Sequence, residues 1–224
     1  MPRNWNLTNP ESPTRKTRMR WQMQLVIKRI IDFLASLVAL SVIWPIMVVI
    51  AVAIKLDSPG PVFFLQKRAG RNGKFFTIYK FRTMVVNAQQ MGLKEKVVSN
   101  DSRITRVGAF LRRWSLDELP QVINVLKGDM SIVGPRPTLP EQVEKYDGFQ
   151  KQRLKMKPGM TSLAVVKGRN LLAWPEKIEY DVEYVKNYSL WLDFIIILKT
   201  VRVVFSGEGV YMDKKRKMNE GDKK

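Results

Sequence analysis

The sequence contains no cysteine and no histidine. The first absence excludes a disulfide framework and leaves the redox compartment open. Together the two exclude a Ser-His-Asp triad, a Cys-His pair and a zinc site of the usual ligands. A catalytic nucleophile must then be Asp, Glu, Lys, Ser, Thr or Tyr. An aspartate, with an unperturbed pKa of about 3.9, is ionised at neutral pH without a neighbouring base. A metal, if one is used, would be a hard ion held by oxygen, with magnesium first. Acidic residues are also scarce, 20 against 39 Lys and Arg, which leaves a formal net charge of +19 on 224 residues. So large an excess points to an anionic partner: nucleic acid, an anionic membrane surface or a phosphorylated substrate. No Gly-, Pro- or Ser-rich stretch indicates wholesale disorder, and the length suits one sizeable domain or a domain with an appendage.

Phe33 to Ile54 form a run of 22 residues without a charge. As a straight helix this is roughly 33 Å, enough to cross a hydrocarbon core of about 30 Å. Pro45 lies near its centre, and a kink there leaves halves of about 18 and 15 Å, neither of which spans alone. Seven basic residues precede Phe33, and seven more lie between Lys55 and Arg82. The charge asymmetry that orients a spanning helix is therefore missing. A segment that dips in, bends at Pro45 and returns to the same face satisfies both flanks. The residues alone leave spanning and re-entrant readings open. Lys28, Arg29 and Asp32, at spacings of four and three, are expected to pair on one helix face where the apolar run begins.

Four parts are expected: a flexible basic segment (1–20), a membrane-associated helical segment (21–56), a folded domain (57–205) and a basic tail (206–224) suited to anionic lipid. After a turn at Pro59–Pro61, "VFFLQ" and "KFFTIYKF" read as strands of a β-hairpin around Gly70–Gly73. Residues 85–100 are expected to form a polar excursion with weak helical character. Helices are expected in "RITRVGAFLRRW", in "LPQVINVLKG", from Gln142 to Leu154, in "PEKIEYDVEYVKNY" and in "LWLDFIIILKTVRVVF", the last apolar along one side. The fold class is thus α+β and mainly helical.

"RRWSLDELPQ" places Asp117 and Glu118 after two arginines and before Pro120. Ser115 with Glu118 three residues on reads as a capping box, with both acids favourable in a helix first turn. That reading leaves the nearby Arg112, Arg113 and Arg136 unexplained. Arg136 stands between Pro135 and Pro137, so its guanidinium is presented from a stiff loop, and guanidinium forks match phosphate oxygens. A carboxylate nucleophile, arginines and a hard metal are the parts that phosphoryl transfer uses.

The segments "KRIID", "GPVFFLQKRAGRNGKFFTIYKFRTM", "DSRITRVGAFLRRWSLDELPQVINVLKGDMSIVGPRP", "KPGMTSL" and "GRNLLAWPEKIEYDVEYVKN" resemble the small monotopic polyprenol-phosphate phosphoglycosyl transferases, the bacterial sugar transferases that begin glycan assembly. The resemblance covers Gln24 to Met212. It implies a cytoplasmic-face catalytic domain on the bacterial inner membrane, anchored by amphipathic helices and a re-entrant helix broken at Pro45. It implies that Asp117 attacks the β-phosphate of a UDP-sugar, releasing UMP, and that undecaprenyl phosphate then takes the phosphosugar. Glu118 is implied as the second acid, both acids as magnesium ligands, and Lys80, Arg112, Arg136, Arg169 and Asn170 as substrate and phosphate contacts.

Where the family often reads "TGLAQVNGR", this chain has "TSLAVVKGR", with Ser162, Val165 and Lys167 in place of Gly, Gln and Asn. That departure bears on donor preference or activity and leaves the acid pair untouched. Relative to larger members, the resemblance implies a minimal, monofunctional form, and "GRNLLAWPEK" looks closest to small members that use acetamido or diacetamido sugars. A homodimer is allowed but not required. The competing reading is a non-catalytic polybasic membrane scaffold, or an inactive relative. A nucleic-acid partner is not expected, because the apolar run and the scattered basic residues match no reading motif.

Overall fold

The structure is a computed structural model that describes residues 15–91 and 101–206. The elements in chain order are α1 (Arg15–Asp57), β1 (Phe63–Ala69), β2 (Phe75–Phe81), α2 (Arg106–Arg113), α3 (Gln121–Lys127), β3 (Ser131–Val133), α4 (Pro140–Glu144), β4 (Gly159–Thr161), α5 (Leu163–Lys167), α6 (Trp174–Lys186) and α7 (Leu190–Ser206). The described residues are mostly helical, with two small sheets. β1 and β2 form the expected antiparallel hairpin, in which Phe64 faces Lys80. β3 and β4 pair in parallel, Ser131 with Gly159 and Val133 with Thr161. Of the segments expected at the two ends, 1–14 and 207–224 lie outside the described residues, whereas 15–20 already belong to α1. Of the polar excursion expected over 85–100, residues 92–100 lie outside them as well.

Helical conformation in α1 runs through Pro45 to Asp57. Proline removes one backbone hydrogen bond, and the helix does not end there. At about 1.5 Å per residue, 43 residues extend roughly 65 Å. Its stretch Met19–Asp57 is long and apolar enough to cross a membrane, the one such helix among the described residues. Val38, Val42, Val49 and Leu56 are exposed, whereas Ile50 and Ile54 enter a buried cluster with Phe81 and Leu111.

The charges at the start of the apolar run do not pair with one another as their spacing predicts. Lys28 Nζ reaches Asp193 Oδ2 on α7 at 2.5 Å. Asp32 accepts from Ser131 Oγ at 2.7 Å and from the Ile132 N–H at 3.1 Å. Arg29 donates to the Val125 and Leu126 carbonyls at 2.6 and 2.9 Å, closing the C-terminal end of α3. This face of α1 lies against the domain, so each polar group finds its partner in the facing elements, where water is excluded. At the other end, Arg82 donates to the Ser58 carbonyl at 2.7 Å and Ser58 Oγ at 2.9 Å, and Asp57 Oδ2 accepts from the Val107 N–H at 3.0 Å. The helix is thus fastened to the domain at both ends of its apolar run.

The region expected as one helix from Gln142 to Leu154 is instead α4 followed by a 3-10 segment, Gln150–Lys155. Asp147 Oδ1 accepts from the Gln150 N–H at 2.7 Å, and this local bond starts the second piece. The largest buried cluster lies between α5, α6, α7 and β3 and contains Val133, Met156, Leu163, Tyr184, Val185, Tyr188 and Ile196. On α7 the residues Trp191, Phe194, Leu198, Val201 and Phe205 stay exposed and form an outward apolar stripe.

Candidate active site

The two acids sit in a single 3-10 turn, Leu116–Glu118, between α2 and α3, with β2 and α2 packed against it. The capping box expected from Ser115 and Glu118 is absent. Ser115 adopts a left-handed conformation (φ 57°) and makes no side-chain cap. Its Oγ accepts instead from Arg169 Nη2 at 2.7 Å. Glu118 Oε1 is taken by Lys80 Nζ at 2.6 Å, across from the hairpin. Asp117 is in no ion pair among the described residues.

The expected arginines gather around this turn. Arg112 Nε donates to Thr83 Oγ1 at 2.7 Å. The approach of α2 to Thr83 requires Gly108, where a Cβ would stand 2.1 Å from the Thr83 carbonyl oxygen. Arg136 is close enough for its charge to act on Glu118. Arg169 has φ 53°, a conformation that costs of order 1 kcal/mol in a non-glycine residue. Its Nη1 is buried and has no hydrogen-bond partner among the described residues. Asn170 shares the turn Arg169–Leu171 and is partly exposed. A buried guanidinium nitrogen near Asp117, Glu118 and Arg136 that has no partner among the described residues has a free capacity to donate.

The environment pushes the acids apart. Burial raises the Asp117 carboxyl above its ordinary value, and the neighbouring Glu118 charge adds to this, against the pull of Lys80 and Arg112. Burial acts on Glu118 in the same direction, but Lys80, Arg136 and Arg169 outweigh it and hold that carboxyl at about 2. Glu118 is therefore the fixed anion. Asp117 is the more basic acid of the two.

Two supporting residues lie within the resembling segments but were not among the expected site residues. Asn124 is fully buried, accepts from the Tyr79 N–H at 3.0 Å and donates to the Thr77 carbonyl at 2.7 Å. It fixes α3 to β2 beside Lys80. Thr83 orients Arg112 as described. Of the three departures in "TSLAVVKGR", Ser162 caps α5 by accepting from the Val165 N–H at 3.2 Å. Val165 is half-buried, and Lys167 is exposed, with its ammonium 5.9 Å from the Tyr180 ring centroid.

Among the described residues no group of three acids could enclose a metal ion. Two adjacent carboxylates nevertheless suit magnesium, which takes one or two carboxylates and completes its shell with water and substrate phosphates. Asp117 and Glu118 fit an ion shared with a bound diphosphate better than one held by protein alone.

The pattern of the family described as "Bacterial sugar transferase" matches residues 23–207. The chain is 46% identical over 189 residues, 82% of its length, to the UDP-N-acetylgalactosamine-undecaprenyl-phosphate N-acetylgalactosaminephosphotransferase of Aeromonas hydrophila. It is 46% identical, over 80% of its length, to the UDP-glucose:undecaprenyl-phosphate glucose-1-phosphate transferase of Xanthomonas campestris pv. campestris. The matches cover only 44% and 39% of those two proteins, so the chain spans about two fifths of their length. The uncharacterized sugar transferase EpsL of Bacillus subtilis is 41% identical over 83% of this chain and is itself matched over 91% of its length.

Proposed function

Because the chain belongs to the bacterial sugar transferase family, we propose that it transfers a phosphosugar from a UDP-sugar to undecaprenyl phosphate at the cytoplasmic face of the bacterial inner membrane. The observation that carries the reading is the asymmetry of the acid pair: Glu118 is bound by Lys80, and among the described residues Asp117 has no ion-pair partner.

In this scheme the Asp117 carboxylate attacks the β-phosphorus of the donor. The bond from that phosphorus to the bridging oxygen breaks, the oxygen leaves with UMP, and an aspartyl-phosphosugar remains. A phosphate oxygen of undecaprenyl phosphate then attacks the same phosphorus and releases Asp117 as carboxylate. Two steps through an acyl phosphate replace one direct encounter of two bulky anions. Arg112, Arg136 and Arg169 supply positive charge where the diphosphate and the lipid phosphate meet, and preorganised charge of this kind is usually the largest catalytic contribution. Lys80 holds Glu118 ionised and in place. Magnesium bound by Asp117 and Glu118 would offset the charge of the diphosphate. The exposed apolar residues of α1 and α7 support seating against lipid, with Pro45 as the bend of a re-entrant α1 and the basic residues on both flanks at the anionic headgroups.

The two relatives at 46% identity are named for different sugars, N-acetylgalactosamine and glucose, so overall similarity does not single out the donor. The scheme is tested by UMP release from a panel of UDP-sugars with undecaprenyl phosphate and magnesium, using wild type and Asp117→Asn. Release by wild type alone with one donor class supports it. Release by Asp117→Asn, or by neither protein, contradicts it.

A further inference from the structure

Arg153 and Asp181 form an ion pair with side chains only 1% and 0% exposed. Such pairs seldom add net stability, because desolvation offsets their attraction, and apolar replacements are often tolerated. What this pair does with its remaining hydrogen-bonding capacity is specific. Both Asp181 oxygens accept from the main-chain N–H of Arg136 at 3.3 Å. Arg153 Nη2 donates to the main-chain carbonyl of the same Arg136 at 2.9 Å. The amide and the carbonyl of one residue thus both end on the buried pair.

The surroundings leave that grip little play. Arg153 Nη1 donates to the Tyr146 hydroxyl at 2.7 Å, and its guanidinium lies 5.7 Å from the Tyr146 ring centroid and 5.5 Å from that of Trp174. Pro135 and Pro137 fix φ on either side of Arg136. The Pro135 carbonyl accepts from the Gly159 N–H at 2.9 Å, and Gly134 packs so closely that a Cβ there would stand 2.3 Å from the Lys157 carbonyl oxygen. The main chain on either side of Arg136 is therefore fixed, and the guanidinium is the part left to act.

We infer that Arg153 and Asp181 are positioning residues, a buried clamp that fixes the main chain of Arg136 so that its guanidinium is held toward Glu118 and the substrate phosphate. The phosphate end of this statement rests on the proposed transferase reading; the clamp itself does not. Burial raises the Asp181 carboxyl to about 6 despite Arg153 and Arg136, which marks a charge kept at some cost in that place. Asp181 lies on the core face of α6 among Ile178, Val182 and Val185, where an acid would otherwise be out of place.

The test uses the full chain in lipid nanodiscs. Arg153→Met/Asp181→Leu removes both charges together, which the fold is expected to tolerate. Asp181→Asn is the second variant, which keeps the side-chain shape and one acceptor oxygen for Arg136 but leaves Arg153 without its counter-charge. Amide exchange is followed in the segment from Gly134 to Thr138, where the two prolines carry no N–H and the Arg136 signal is easily separated. Turnover is compared with Arg136→Met and with the combined variants. The clamp predicts faster exchange at Arg136 in the charge-free variant and a fall in kcat/KM toward about 100-fold, the scale of a small misplacement. It predicts a smaller fall in kcat/KM for Asp181→Asn. It also predicts that neither change costs more than about twofold further once Arg136 is Met. Unchanged exchange with the fold retained, or losses that add to that of Arg136→Met, overturns the inference alone. Full turnover in Arg136→Met overturns the phosphate reading of Arg136 and the inference with it.

Discussion

Lys80 Nζ stands 2.6 Å from Glu118 Oε1, and with Arg136 and Arg169 it lowers the Glu118 carboxyl while burial raises that of the adjacent Asp117. Glu118 is the more acidic of the two and Asp117 the more basic. Reading the two as one interchangeable dyad misses this difference, which comes in part from a hairpin residue 38 positions away.

The pairing predicts a pH signature. Glu118 is held at about 2, below its ordinary 4.5, so its contribution to stability is complete above about 4.5 and is lost as pH falls toward 2. Thermal melts of wild type and Glu118→Gln between pH 6 and 3 should show the gap narrowing with acid. Asp181 has the opposite sign. Its folded value of about 6 exceeds its unfolded value, so Asp181→Asn should gain relative stability as pH rises from 4 to 7. A constant offset for both variants would contradict both assignments.

Gly108 is a second point of leverage. A methyl group there meets the Thr83 carbonyl oxygen at 2.1 Å, which neither backbone can accommodate without moving. Gly108→Ala should shift α2, release Arg112 from Thr83 and lower stability by about 1–3 kcal/mol, the usual cost of overpacking. Activity should fall with it, by roughly tenfold or more if Arg112 meets phosphate. Denaturation midpoint and UMP release on the same preparation check both; a fully active, fully stable variant would remove the close approach as a constraint.

The topology of α1 is directly measurable because the chain has no cysteine of its own. Single cysteines at Arg20 and Lys74 flank the apolar run. A re-entrant helix bent at Pro45 predicts that an impermeant thiol reagent labels both from the same side of sealed vesicles. Labelling from opposite sides would establish a spanning helix. Pro45→Leu restores the missing backbone bond and should move the balance toward spanning.

The sequence made local features legible and distant ones illegible, for a physical reason. The hairpin, α2, α3, α6 and α7 follow from periodicity and turn residues, which act over a few positions. β3 and β4 went unseen because each is three residues long and pairs across more than 25 residues of chain. Ser115 and Glu118 have capping-box spacing, yet both were claimed by remote partners, Arg169 and Lys80. Lys28, Arg29 and Asp32 repeat the pattern, each matched with an element that helix spacing says nothing about. Of the site, Asp117, Glu118 and the ring of basic residues were readable in their motifs. Asn124, Thr83, Arg153 and Asp181, which hold that ring in place, were not. Thr83, Asn124 and Asp181 lie within the resembling segments, but nothing in their spacing announces the partners that folding brings to them.

The most direct test of the central claim is the intact mass of the protein after mixing with magnesium and each UDP-sugar, without lipid acceptor. Wild type should gain one phosphosugar, Asp117→Asn none, and the adduct should disappear when undecaprenyl phosphate is added. An adduct on Asp117→Asn, or lipid product formed by wild type with no adduct on the path, would contradict Asp117 as the nucleophile.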